Sequence, residues 1–193
     1  MHKVGDLKIW QKSIELTKAI YLLVSELPKD EQDDIIRKIG LAALKFFIIK
    51  VHPKKRMIFD PKESVDLQGQ TGPYVQNAYV RIQSVLRKAG EGAADSDKSK
   101  EYTGYETLEK DLLNQIYQYP ELVLSAANDY DPSSIANYCY NMAKTFHKFY
   151  HDHSILKAES DKAKAFRLKL AKMVGEVLRK GMDLLGIEMP DRM

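Results

Sequence analysis

Apolar residues recur at three- and four-residue spacing along most of this chain, and a polypeptide patterned that way must bury helix faces rather than sheet faces. Ile35, Ile36, Ile39, Ala42, Ala43, Phe46, Phe47 and Ile49 form one such stripe, wide enough to be covered on more than one side. It ends before His52-Pro53, because the residue preceding a proline disfavours the helical region. A second stripe of Ala78, Ile82, Val85, Leu86 and Ala89 runs from Tyr74 to about Ala89, opened by Pro73 and closed by Gly90. Leu108, Leu112, Ile116 and Tyr117 predict a third helix broken at Pro120, with a short one from Glu121 to about Asn128. Asp131-Pro132 is an N-cap followed by proline at the first helical position, and Ile135, Cys139, Met142, Phe146 and Phe149 follow as a buried face. The last helix is expected from near Ser160 to around Gly186, burying Phe166, Leu170, Met173, Val177 and Leu178. No sustained period-two alternation appears, so the predicted class is all-α.

Between the stripes, residues 52–73 collect Pro53, Pro61, Gly69, Gly72 and Pro73 and are expected to form an irregular connector. Residues 90–104, small, polar and charged, hold too little apolar surface to offset the entropy of ordering them and are expected to be a mobile loop. At the other end, Leu7, Trp10, Ile14, Thr17, Tyr21, Val24 and Leu27 make an amphipathic stripe stopped by Pro28, and a lone helix of that kind must dock on something.

A formal charge of +3 does not by itself mark a nucleic-acid binder. Its distribution is more informative, since Lys45, Lys50, Lys54, Lys55 and Arg56 fall together with no acid among them, and residues 144–193 carry 11 Lys/Arg against 7 Asp/Glu. The longest apolar run, near Leu41 to Val51, is interrupted by Lys45 and Lys50 and falls short of the roughly 18 to 20 apolar residues that span a bilayer. No secretion signal is visible at the N-terminus and Cys139 is the only cysteine, so a cytoplasmic address is expected. Cys139, His147, His151 and His153 suggest zinc only weakly, for although His147 and His151 share a helix face, no Cys-x-x-Cys or His-Glu-x-x-His spacing occurs. Gly69 to Pro73 lacks the Lys-Ser/Thr of a phosphate loop, and Cys139 has no cationic neighbour to favour a thiolate. The residues point to binding rather than turnover, with no catalytic residue and no metal expected.

From Phe59 to Gly90 the order Glu63, Ser64, Asp66, Gly69, Thr71, Gly72, Pro73, Tyr74, Gln76, Ala78, Arg81, Ser84, Arg87 resembles the junction between catalytic and anticodon-binding domains in bacterial arginyl-tRNA synthetases. The similarity resumes at LLNQIYQYPELV, at IANYCYNMAKTFHKFYHDHSIL and at VLRKGMDLLGIEMPDRM, and it extends upstream through RKIGLAALKFFIIKVHPKKRMIFDP. It implies an all-helical DALR-type anticodon-binding fold. Residues 33–72 would come from the end of the catalytic region and 73–193 would be the anticodon-binding domain. Residues 1–32 instead resemble the first helix of small bacterial four-helix-bundle proteins related to an intervening sequence of ribosomal RNA genes. A fusion joined between about Glu31 and Ile39 is expected there, the other reading being a divergent piece of the synthetase.

The resemblance implies arginine–tRNA as partner. The His-Ile-Gly-His-like and Lys-Met-Ser-Lys-Ser-like signatures of the ligase reaction do not occur in this sequence. The chain is therefore expected to be inactive alone, with ATP and arginine belonging to a catalytic domain it does not include. In that family the anticodon pocket is lined by the Tyr of Thr-Gly-Pro-Tyr, the Tyr after the next Gln, an Arg one turn later, a Tyr on the penultimate long helix and the C-terminal Met. These carry over to Tyr74, Arg81, Tyr150 and Met193, while Asn77 stands in place of the second tyrosine and follows Gln76. Independently of the family, anticodon bases are read by stacking on aromatics and by hydrogen bonds to their edges, and Lys or Arg holds the backbone. Tyr74 and Arg81 are seven residues apart, two turns, so one helix face can present both. Two other classes stay open, a four-helix-bundle interaction module that self-associates through the Trp10 stripe without binding tRNA, and a metal-binding helical protein.

Overall fold

The computed structural model describes residues 29–193, preceded by Glu15 and Lys18. The stripe expected from Leu7 to Leu27, its self-association and the fusion reading of residues 1–32 fall largely outside the described residues. Among those described, the chain is helical and contains no strand.

Helix α1, Lys29–Ile49, buries Ile35, Ile39, Ala42, Ala43, Phe46 and Phe47 along the predicted stripe. The connector after it is less irregular than expected, for Pro61–Ser64 forms a single-turn helix α2. The cause is the Asp-Pro signal that also opens a later helix: the Asp60 carboxylate accepts the Lys62 and Glu63 amides at 2.8 and 3.1 Å, and Pro61 occupies the first position. Helix α3, Gly72–Ala89, is capped by Thr71, whose Oγ1 accepts the Tyr74 amide at 3.1 Å. It closes at Gly90, where φ is +90°.

Residues 90–104 differ from the loop expected there. They form two 3₁₀ turns, Ala93–Asp95 and Asp97–Glu101. Composition missed the partners: the final helix, α6, Asp161–Leu184, supplies Lys172 to Asp95 at 2.7 Å, Asp161 to Lys98 at 3.0 Å and Lys162 to Glu101 at 2.9 Å. Ala94 is buried and Tyr102 stacks on Phe166 with ring centres 4.9 Å apart, which adds the apolar contact the segment itself lacks.

Helix α4, Thr107–Asn128, is continuous through Pro120, where two helices were expected. A proline removes one backbone bond without necessarily ending a helix that packing holds at both ends. Here Tyr138 donates its hydroxyl to the Gln115 carbonyl at 2.6 Å, one residue before the carbonyl that Pro120 leaves without an amide. Tyr117, expected inward, is 86% exposed, and Leu112 carries the buried face. Helix α5, Pro132–Asp152, starts at the predicted cap, with Asp131 accepting the Ser133 amide at 3.1 Å, and it buries Ile135, Cys139, Met142, Phe146 and Phe149. α6 is capped by Ser160, and the chain turns out of it at Gly186, φ +67°.

Two glycines set how closely helices approach. A Cβ on Gly72 would fall on the Ala42 carbonyl of α1, and one on Gly181 would lie 2.6 Å from Cys139 Sγ on α5. At the other end of α6, Arg167 is 3% exposed and satisfies a charged network: its Nε donates to Glu109 at 2.7 Å, its two terminal nitrogens donate to Glu159 at 2.9 Å each, and Nη1 also donates to the Ser154 carbonyl at 3.1 Å. Burial lowers the readiness of this guanidinium to stay charged, and the two carboxylates more than reverse that.

Three substitutions check this packing by urea unfolding. Gly72→Ala should lose about 1–3 kcal/mol, because backbone cannot yield to the new methyl. Gly175→Ala should be close to neutral, since the nearest atom its Cβ meets is on the Ile82 side chain at 3.1 Å and a helix-propensity gain of about 1 kcal/mol offsets that strain. Arg167→Ala should lose about 3–5 kcal/mol by stranding the buried Glu109 carboxylate.

Candidate nucleic-acid interface

On α3, Tyr74, Asn77, Arg81, Ser84 and Lys88 succeed one another at three- and four-residue steps, so a helix of 3.6 residues per turn gathers them on one side. That side meets α5, where Tyr140, His147 and Tyr150 share a face by the same spacing. The Arg81 guanidinium carbon lies 5.0 Å from the centre of the Tyr150 ring, within range of a cation–π contact. Its Nη1 donates to His147 Nδ1 at 3.2 Å. Below them opens a groove of about 260 Å³ lined by Asn77, Val80, Arg81, Ser84, Val85, Lys88, Tyr150 and Leu156.

The expected site residues divide into three groups. Asn77, Arg81 and Tyr150 come together in the groove, and Tyr150 is 38% exposed. Tyr74 stands beside it as a half-buried wall, its ring 4.8 Å from His147 and 5.2 Å from Tyr140, and burial raises its phenol above the usual tyrosine range. Gln76 and Met193 lie elsewhere. Gln76, expected to meet RNA, is fully buried on the far side of α3, where Nε2 donates to the Lys38 carbonyl at 3.3 Å and the Glu188 carbonyl at 2.8 Å. Two residues past Tyr74 is about 200° around a helix, which turns the side chain into the core. Met193 packs on Ile35, Ile39, Ala43 and Val65, held by a tail whose Asp191 carbonyl accepts Arg87 and whose Glu188 pairs with Arg37 at 2.8 Å.

Three groove-side residues were missed in the sequence. Ser84 and Lys88 continue the Tyr74–Arg81 spacing by one and two further turns, so extending that stripe would have found them. His147, weighed there only as a metal ligand, lies three residues before Tyr150. Burial, and after it the Arg81 charge, hold its imidazole below the usual histidine range, while a hydrogen bond to the Tyr74 backbone acts the other way. Among the described residues no group of His, Cys, Asp and Glu is arranged to hold a metal ion. Cys139 is buried against α6, and burial pushes its thiol up to about 12. No helix among the described residues is long and apolar enough to cross a membrane.

A larger cavity of about 630 Å³ lies between α3, α6 and the 3₁₀ turns, lined by Tyr79, Gln83, Arg87, Asp95, Lys172 and Arg179 among others. Size does not make it the better anion site. Lys172 is paired with Asp95, Arg87 is engaged by the Asp191 carbonyl, and Glu91 and Glu176 also line the walls. In the α3–α5 groove the lining charges are Arg81 and Lys88, with no acid beside them.

Comparison with known proteins identifies the family and the fold. A model of the DALR anticodon binding domain matches residues 75–193. The arginine–tRNA ligase of Bacteroides thetaiotaomicron is 48% identical over 169 residues, covering 86% of this chain and 28% of that protein. That of Flavobacterium psychrophilum is 41% identical over 185 residues, covering 93% of this chain and 30% of its own length. The chain thus spans less than a third of the curated relatives it matches. Among solved structures, the Thermus thermophilus arginyl-tRNA synthetase superposes with a TM-score of 0.83 at 28% identity, covering 100% of this chain and 33% of that one. The Plasmodium falciparum arginyl-tRNA synthetase, at 23% identity and a TM-score of 0.80, shares the fold over 97% of this chain and 34% of its own.

The electrostatics of the groove are open to a direct check without RNA. Arg81→Met should raise the pKa of His147 toward, but not to, the ordinary histidine value of about 6.5, because the neighbouring charge goes while the burial stays. The measurement is an NMR titration of the His147 imidazole in parent and variant, and an unchanged or lower value would contradict the contact.

Proposed function

The chain belongs to the DALR anticodon-binding domain family, and from that membership we propose that it is the tRNA-binding module of an arginine–tRNA ligase, reading the anticodon loop of arginine isoacceptors in the α3–α5 groove. The observation that carries the reading is the Arg81 guanidinium lying over the Tyr150 ring at a groove lined also by Asn77, Ser84 and Lys88. Single-stranded RNA is recognised by splaying bases onto aromatic faces, hydrogen-bonding their edges and holding the phosphates with cations. Tyr150 offers the exposed ring. Asn77, Ser84 and Arg81 offer donors and acceptors for base edges. Lys88 and Lys144, exposed and in no ion pair among the described residues, offer charge for the backbone.

On this reading the module carries no chemistry of its own. ATP and arginine are held by a catalytic domain, and the module works in the cytoplasm, where that enzyme meets its tRNA. Tyr74 and Gln76 contribute by shaping α3 and anchoring it. Met193 contributes by seating the tail on α1.

The test is tRNA affinity at several salt concentrations, with an arginine tRNA and the same tRNA carrying a replaced anticodon. Lys88→Ala should weaken both complexes and flatten the salt dependence by slightly under one unit of slope, as expected for one lost phosphate contact. Tyr150→Ala should lose about 1–3 kcal/mol, nearly independent of salt. A Tyr150→Ala variant that binds both RNAs as the parent does would place recognition outside this groove.

A further inference from the structure

We infer that His147 is a positioning residue for base recognition: as a neutral acceptor it holds the Arg81 guanidinium against Tyr150, and its protonation releases that guanidinium. The inference rests on the tRNA-binding reading above and adds the device that orients the groove's central donor.

An arginine side chain carries only donors, so a bond from Arg81 Nη1 to His147 Nδ1 requires a lone pair on that nitrogen, and hence the neutral ring. A second contact is the Tyr150 ring, whose centre lies 5.0 Å from the guanidinium carbon. Two contacts leave a long side chain with less freedom. His147 is itself packed edge-on to Tyr74, with ring centres 4.8 Å apart. Nε and Nη2 of Arg81 have no protein partner among the described residues and remain for a ligand in the groove that Arg81 lines. A guanidinium held in place before the ligand arrives is a directional fork rather than a swinging charge, and a fork can distinguish one base edge from another.

The charged and titratable groups that face His147 are Arg81 and Tyr74 on α3, with Lys144, Tyr150 and His151 three or four residues away on its own helix and Tyr140 behind Tyr74. None is an acid. Protonation therefore sets two cations 3.2 Å apart with no carboxylate to compensate, and it removes the lone pair in the same event. The pocket resists this, since burial and Arg81 favour the neutral ring. Neutral His147 is then the form above pH 6.5, and the locked geometry is lost only as the pH falls through the depressed pKa.

The experiment compares binding of an arginine tRNA transcript and of the same transcript with its anticodon replaced, at pH 7.5 and at a pH below the His147 pKa found by the NMR titration above, for the full chain and four variants. The readout is the ratio of the two affinities, because an added positive charge strengthens both complexes alike. The parent ratio should fall about tenfold on acidification, the scale of one lost directional base contact. His147→Leu should show the lowered ratio at both pH values. His147→Asn, which keeps an acceptor near the Nδ1 position and does not titrate, should retain the parent ratio at both, and it also controls for protonation of the RNA. Adding His147→Leu to Arg81→Ala should lower the ratio no further. A His147→Leu variant, folded by circular dichroism, that discriminates like the parent would overturn the inference and leave the tRNA reading standing. A parent that binds neither RNA, or both equally, would overturn the reading itself.

Discussion

The arrangement of this domain depends on one buried charge. Arg167 cannot be placed in the interior unless nearly every donor finds an acceptor, because the desolvation of an ion is worth several kcal/mol. Its partners come from three places: Glu109 on α4, Glu159 in the approach to α6, and the Ser154 carbonyl after α5. Glu109 is held in turn by the Tyr102 hydroxyl and the Glu106 amide, so the same network caps α4 and reaches the 3₁₀ segment. Satisfying one guanidinium therefore fixes how α4, the α5–α6 turn and the start of α6 meet.

That frame sets the α3–α5 groove. α6 lies against α5 at Gly181, where the absent Cβ permits the close approach, and against α3 at Gly175, which faces the Ile82 side chain. With both helices seated on α6, the stripe from Tyr74 to Lys88 faces the stripe from Tyr140 to Tyr150, and Arg81 reaches the Tyr150 ring. Gln76 and the tail from Glu188 to Met193 anchor the opposite side of α3, so one helix is structural on one face and open on the other. The neighbouring larger cavity shows the contrast. Two of its cations, Lys172 and Arg87, are engaged by Asp95 and the Asp191 carbonyl, and Glu91 and Glu176 line its walls, whereas no acid lines the groove beside Lys88.

Much of this was legible in the sequence because it is local. The helix class, the cap at Asp131 and the shared face of Tyr74 and Arg81 follow from spacing and short-range hydrogen bonding, and the Thr-Gly-Pro-Tyr stretch carried the family. What escaped was long-range. Gln76 looked like a site residue by its place in a motif, although its helical angle sends it into the core. Residues 90–104 looked structureless because their partners, Lys162, Lys172 and Phe166, lie some seventy residues away. Pro120 looked like a stop because the Tyr138 hydroxyl that supports the helix there belongs to another element. His147 has no distinguishing local context at all, and only the tertiary contact with Arg81 separates it from an ordinary surface histidine.

The central claim is that RNA enters between α3 and α5. The most direct measurement is NMR mapping on the isotope-labelled chain, titrated with a hairpin carrying the anticodon stem and loop of an arginine tRNA. The expected result is that shifts concentrate at Asn77, Arg81, Ser84, Lys88, His147 and Tyr150, while Tyr79, Arg87 and Arg179 in the opposite cavity stay still. Shifts centred on those last three residues, or none at saturating RNA, would contradict the account.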